Sequence, residues 1–429
     1  MDLRDAVAAE LRAARSRSLA LLAPLPDHEL VRQHSPLMSP LAWDLAHVGN
    51  YEDLWLLRAL GHEGVAPAHD DVYDAFRHPR PDRPSLPLLG PPQARAYAAE
   101  VRGRVLDLLA TVELDPERPL LGEGFVYGMV VQHEHQHDET MLATLQLMAG
   151  RGYRAVAPPP PEGRLPEPGE VLVEGGAFPM GTGTEPWAYD NERPAHHVDV
   201  APFWLDTAPT TNRAYLEFVM SGGYHQPRWW TPEGWAWRHQ AALEHPECWR
   251  RETGSSWAQV RFGCQEDLPL DQPVQHVGWH EACAYARWRG RRLPTEAEWE
   301  KAASWDPATA TKRRYPWGDG PPTPERANLG QRHFGPAPVG AYPGGVSPWG
   351  CHQMVGDVWE WTASELTAYP GFRAFPYREY SEVFHDAGYR VLRGGSWATH
   401  PSAVRTTFRN WDLPIRRQIF CGVRLARDA

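Results

Sequence analysis

Apolar side chains recur at helical intervals through the first third of the chain. Residues 6–22 run AVAAELRAARSRSLALL without a Gly or Pro. In 40–60, Leu41, Leu45, Val48, Trp55 and Leu56 fall at helical spacings, and 92–114 gives another amphipathic stretch. A fourth runs over 124–149, starting near Phe125 and stopping at Gly150. Four helices of this length in residues 1–155 predict an all-α four-helix bundle. The connection from about 61 to 91 is long and rich in Pro, Arg and His. Loops of that length in a compact domain are usually functional.

The pattern then changes. APPPPEGRLPEPGE, ending at Glu170, reads as a semi-rigid linker, so 156–170 is the expected boundary. From 171 to 429 the strand-like pieces are short, as in EVLVEGG and HHVDVAPFWLD. Turn signals are dense: Met180-Gly181-Thr182-Gly183, Trp317-Gly318-Asp319-Gly320, Gly344-Gly345 and Gly394-Gly395. Helix is expected over Asn212–Ser221, His280–Gly290 and Glu296–Ser304. The Trp count (20) exceeds Tyr (15) and Phe (12), and these Trp concentrate after residue 180. Together this predicts a loop-rich α+β domain whose core leans on Trp and Tyr.

Charge and composition narrow the function classes. The 429 residues suit two domains. With 43 Lys+Arg against 54 Asp+Glu the net charge is −11, and no basic stripe offers a nucleic-acid surface. No stretch approaches the ~20 apolar residues of a membrane span. The N-terminus lacks the apolar core of a signal peptide, so a cytoplasmic protein is expected. Cys248, Cys264, Cys283, Cys351 and Cys421 form no CxxC, so reduced, mostly buried thiols are expected rather than disulfides or a four-cysteine zinc site.

The strongest chemical signal is VVQHEHQHDET in the fourth helix. His133 and His137 are four residues apart and share one helical face. His135 lies on roughly the opposite side and is expected at the surface or behind the ligands. A third ligand must come from another helix, and His47, mid-helix in SPLAWDLAHVGN, is the natural candidate. Three neutral imidazoles suit Zn, Cu, Ni or Fe. The triad alone does not decide among them.

The second half carries a longer set of strings. They are Gly175-Gly176-Ala177-Phe178-Pro179-Met180-Gly181, Leu293-Pro294-Thr295-Glu296-Ala297-Glu298-Trp299-Glu300, Tyr315-Pro316-Trp317-Gly318, Gly356-Asp357-Val358-Trp359-Glu360-Trp361-Thr362 and Leu392-Arg393-Gly394-Gly395-Ser396-Trp397. These resemble the formylglycine-generating-enzyme (sulfatase-modifying factor) domain, a C-type-lectin-like α+β fold. One departure matters. Where that family has a Cys-bearing GFRC-type string, this chain has Gly422-Val423-Arg424-Leu425, and ATHPSAVRTTFRN holds no Cys. The copper–thiolate oxidase chemistry is therefore expected to be absent. The bundle with its three His resembles a DinB-like domain. The combination is similar to the ergothioneine-pathway sulfoxide synthases, and TFRNWDLPIRRQIFCGVRLARDA looks closest to actinobacterial members.

That resemblance implies a reaction and a set of roles. His47, His133 and His137 would hold a non-haem Fe(II). With O2 the enzyme would join the sulfur of γ-glutamylcysteine to C2 of the imidazole of hercynine, giving a sulfoxide. Gln136 would bond the free ring nitrogen of that imidazole. Asn410 and Trp411 would face hercynine, and Asp412 the amino group of the thiol substrate. Arg80 and Arg83 in FRHPRPDR would take its carboxylates, with Arg77 a weaker candidate. A catalytic Tyr falls in AFPYREYSEVF, where Tyr377 is favoured over its neighbour Tyr380. Both domains would then share one site and dock tightly. Other readings stay open: the same chemistry with cysteine or a selenium donor, a zinc- or nickel-dependent DinB-like thiol transferase, or a non-catalytic binding module. The sequence also leaves open a structural Ca2+ in the loop-rich half, and the oligomeric state.

Overall fold

The computed structural model describes residues 2–148, 153, 157–164, 169–252 and 256–429. Gly150 and much of the expected linker lie outside them. The chain divides into two compact units, Met1–Arg154 with Glu185–Trp187, and Ala155–Thr184 with Ala188–Ala429.

The first unit is helical. Its elements are α1 (Leu3–Leu22), a single turn α2 (Asp27–Leu30), α3 (Leu41–Glu52), a second single turn α4 (Asp70–Tyr73), α5 (Pro91–Leu109) and α6 (Phe125–Leu147). The four long helices are those the apolar spacing predicts. Every residue of α3 is buried, which makes it the central helix. Gly49 lets it approach α5 closely, since a Cβ there would lie 3.3 Å from the Ala98 Cα. After Glu52 the helix widens into a π-turn over Asp53–Leu57, then tightens over Arg58–Leu60. The long connection is not bare loop. It holds α4 and short 3-10 turns over Pro67–His69 and Arg80–Ser85.

A closed ring of buried ions fixes how these helices are rotated. Arg15 of α1 bonds Glu134 of α6 at 2.7 Å and Glu52 of α3 at 2.9 Å. Arg102 of α5 bonds Glu52 at 2.5 Å and Glu134 at 2.7 Å. Two cations and two anions balance, so neither pair is left as an uncompensated buried charge. Burial alone would raise the Glu134 carboxyl, but Arg15 and Arg102 outweigh it and hold it down to about 2. Because consecutive helical residues point ~100° apart, turning Glu134 toward the ring turns His133 and His137 toward α3.

The second unit has α7 (Asn212–Met220), α8 (Pro232–Gln240), α9 (Trp279–Trp288) and α10 (Glu296–Ser304). Its strands are short: β1 (Glu170–Val173), β2 (Gly176–Met180), β3 (His196–Val200), β4 (Phe203–Asp206), β5 (Trp249–Arg251), β6 (Trp257–Arg261), β7 (Cys264–Asp267), β8 (Trp305–Asp306), β9 (Thr311–Lys312), β10 (Trp359–Glu365), β11 (Arg390–Arg393), β12 (Asn410–Asp412), β13 (Cys421–Gly422) and β14 (Ala426–Asp428). They form small sheets ordered β1-β4-β14 and β12-β11-β10-β13, with β2-β3, β5-β6-β7 and β8-β9 beside them. Trp299, Trp361, Trp397, Tyr189 and Tyr215 are among the largest fully buried side chains, so the core does lean on Trp and Tyr.

The long motifs of this unit meet in one buried ion cluster. Thr295 caps α10, accepting from Glu298 N at 3.2 Å. The helix then directs Glu296 to Arg409 (2.7 Å) and Arg393 (3.2 Å), and Glu300 to Arg393. Glu360 accepts from Trp299 Nε1 at 2.7 Å and from Arg424 at 2.8 Å. Arg424 thus has a structural partner in the string where the formylglycine family carries Cys.

The cysteine expectation needs correction, and of the two places expected for His135 the structure excludes the surface. Only Cys351 and Cys421 are buried; Cys248 and Cys283 are half-buried and Cys264 is exposed. His135 is not a surface residue. It is buried, with Nδ1 3.1 Å from Asp138, because the ion ring draws that side of α6 into the bundle. Among the described residues no helix is long and apolar enough to cross a membrane.

Candidate metal centre

His47 from α3 meets His133 and His137 from α6, and one ring nitrogen from each lies within 4.8 Å of the others. His47 Nε2 and His133 Nε2 are 3.3 Å apart. Two ligands at right angles, each about 2.1 Å from a metal, lie ~3 Å apart, so the spacing fits a common cation. Ring centroids are 4.6 Å apart for His47–His137 and His133–His137. The far nitrogens reinforce the aim. His47 Nδ1 lies 2.7 Å from the Tyr73 carbonyl, which only accepts, so Nδ1 carries the proton and Nε2 keeps its lone pair. His137 Nδ1 donates in the same way to Asp44 at 3.1 Å. Burial, then the neighbouring His137 ring, pushes His47 and His133 well below the ordinary imidazole range. Neutral imidazoles converging on one point are a metal-ligating donor set.

Aromatic rings wall the cluster. Trp43 stacks on His47 at 4.6 Å, and Tyr51 stacks on His133 at 3.7 Å with 11° between planes. Asp44, Trp43, Tyr51 and the Tyr73 carbonyl were not singled out from the sequence. For Asp44 and Tyr51 the spacing from His47, three residues before and four after, was the available signal.

The expected thiol-binding arginines differ in setting. Arg83 is 5% exposed. Its guanidinium lies 3.7 Å over the Trp43 ring and donates to Ser39 Oγ (2.6 Å), His78 O (3.0 Å) and Ala75 O (3.1 Å). Burial brings its pKa down to about 10. Arg80 is half-buried and donates to Leu37 O at 3.0 Å. Arg77 pairs with Asp71 at 2.5 Å. Gln136 is half-buried beside His137, and its carbonyl accepts from Thr140 at 3.1 Å.

In the second unit, Asn410, Trp411 and Asp412 form β12 at the edge of its sheet, paired to β11. Arg409, clamped by Glu296, anchors the strand's start. Tyr380 stacks on Tyr189 at 4.1 Å, stands edge-on to Trp411 at 5.8 Å, and lies 6.2 Å from Tyr377. Phe384 meets Trp411 at 5.5 Å. Tyr377, Tyr380 and Trp411 are therefore brought into one aromatic group, with Tyr189 and Phe384 as members the sequence did not flag. Asp190 ties down the segment that carries these Tyr residues, accepting from Ser381 Oγ at 2.7 Å and Phe375 N at 3.1 Å.

A helical bundle in which three imidazoles converge, followed by a Trp-rich α+β unit, defines a two-unit class of protein. The DinB superfamily matches residues 10–141, and the sulfatase-modifying factor enzyme 1-like domain matches 156–429. Proteins named hercynine oxygenase are similar end to end. Those of Mycolicibacterium smegmatis and Mycobacterium tuberculosis are each 51% identical, over 439 and 434 residues, covering 100% of both chains. That of Mycolicibacterium thermoresistibile is 52% identical over 435 residues, covering 99% of this chain and 95% of its own. The chain belongs to the hercynine oxygenase family.

Proposed function

We propose that the chain is a cytoplasmic, Fe(II)- and O2-dependent sulfoxide synthase joining the sulfur of γ-glutamylcysteine to C2 of the hercynine imidazole. The observation that carries the reading is the convergence of three imidazoles in a chain half identical, over its full length, to proteins named hercynine oxygenase. The overall change balances. The thiol and C2 each give up one hydrogen, one atom of O2 ends on sulfur, and the other leaves as water. His47, His133 and His137 would hold the iron, which when bound supplies electrons to O2 and open positions for substrates.

The chain's own residues do the rest. Gln136 bonds the free imidazole nitrogen of hercynine. A quaternary ammonium donates no hydrogen bond, so it is recognised by aromatic faces and nearby negative charge. Trp411 supplies the face, and Asn410 orients the substrate beside it. Asp412 takes the amino group of the thiol substrate. Arg80 and Arg83 take carboxylates. Arg83 already gives three donors to Ser39, His78 and Ala75. That commitment favours one second reading, in which cysteine, with a single carboxylate, is the donor. Tyr377 donates a proton on the sulfur side so that C–S bonding outruns oxidation of the thiolate, and Tyr380 holds its position.

The test is an aerobic incubation of Fe(II)-loaded protein with hercynine and equal γ-glutamylcysteine and cysteine, read by mass spectrometry. The expected product is the γ-glutamylcysteine sulfoxide, formed only with O2. A dominant cysteine adduct would transfer the assignment to the second reading, and no coupled product would reject both. Tyr377→Phe should keep iron and both substrates yet yield sulfinate in place of sulfoxide. An unchanged sulfoxide yield would remove Tyr377 from its role.

A further inference from the structure

Asp44 is a buried carboxylate in the first turn of α3. It sits on α3 three residues before His47, on the same helical face. It is 1% exposed. One oxygen, Oδ1, meets His137 Nδ1 at 3.1 Å, while Oδ2 is buried with no hydrogen-bond partner among the described residues. Arg83 acts on it through space, its guanidinium bonding Ser39, His78 and Ala75. A buried anion with half its oxygens unsatisfied is a standing cost to the fold.

The three imidazoles differ on their far sides. His47 is tied to a neutral carbonyl, His137 to a carboxylate, and His133 Nδ1 has no partner among the described residues. We propose that Asp44 is a positioning residue for the metal centre. It fixes His137 as the ligand of strongest donor character and supplies the buried negative charge that a divalent cation balances. The inference rests on the metal-site reading given above. His137 meets Asp44 through Nδ1 alone. With a cation held by the three imidazoles, the His137 N–H would be polarised and the charge of Asp44 would meet its counterpart through the ring. The carboxylate that burdens the metal-free fold is the one that strengthens the metal-bound one.

Opposite effects on the two states distinguish this role from a structural one. Asp44→Asn keeps an oxygen that accepts from His137 and removes the charge. Metal-free, full-length wild type and Asp44→Asn are titrated with Co2+ without O2, reading the cobalt absorption bands, and both metal-free forms are melted. The expected result is a ten- to hundredfold weaker Co2+ affinity with a metal-free Tm equal to or above that of wild type. Affinity within threefold of wild type overturns the proposal. So does a lower metal-free Tm accompanying lost binding, which would mark Asp44 as a fold residue. A wild type that binds no Co2+ overturns the metal-site reading itself, and this inference with it.

Discussion

Tyr51 shows how much of the candidate metal centre depends on residues that carry no metal-binding signal. Its ring lies 3.7 Å from that of His133, whose Nδ1 has no partner among the described residues, so stacking is what holds that ring flat against α3. Tyr51→Phe should keep the stack and leave Co2+ affinity near wild type. Tyr51→Ala should cost about 3–5 kcal/mol of stability from the cavity and weaken Co2+ binding, because His133 regains rotamer freedom. Equal affinity in the two variants, read by titration, would show that stacking does not position His133. The sequence made the candidate ligands legible because spacing alone puts His133 and His137 on one face. It did not make Asp44, Trp43 or Tyr51 legible. An acid or aromatic residue in a buried helix has many ordinary roles, and only the packing of α3 on α6 turns these three toward the imidazoles.

Among the elements, the helices of the first unit were readable because each keeps an apolar face over many turns. The short turns α2 and α4 span four residues each, too few for any period to register. In the second unit α8 went unread, since Thr231-Pro232 opens it and three of its nine residues are Gly, Trp and Trp. A sequence reader takes those for turn and strand signals. What locks the long helices together is the ion ring, and Glu134 is its test. Its folded pKa, about 2, lies below the ordinary 4.5. The stability it contributes is therefore complete above pH ~4.5 and lost as pH falls toward 2, a swing of about 3 kcal/mol. Glu134→Gln should lower stability at pH 7 by about 3–5 kcal/mol, because Arg15 and Arg102 lose half their countercharge. It should also flatten the acid limb of the stability curve. Denaturant unfolding from pH 2 to 7 reads both effects, and a mutant curve parallel to wild type would remove Glu134 from the acid response.

For the whole molecule, the order of long motifs was the legible feature, and the second unit gives its physical reason. Strings far apart in sequence meet through Glu296, Glu300 and Glu360, each matched to an Arg in another string, so none can drift without leaving a charge buried. The assignment of roles was less legible, because an aromatic pocket looks like aromatic core until its neighbours are known. The proposed function assigns roles to residues of both units, the three His in the first and Asn410, Trp411, Asp412 and Tyr377 in the second, so neither unit alone should retain it. The second unit has grounds to fold by itself, since Phe178, Phe203, Leu205, Trp299 and Met354 form an apolar core within it. A fragment of residues 171–429 should therefore melt cooperatively yet bind hercynine far more weakly than the full chain in calorimetry. A folded fragment that keeps full affinity would place hercynine recognition wholly in the second unit and would end the role proposed for Gln136.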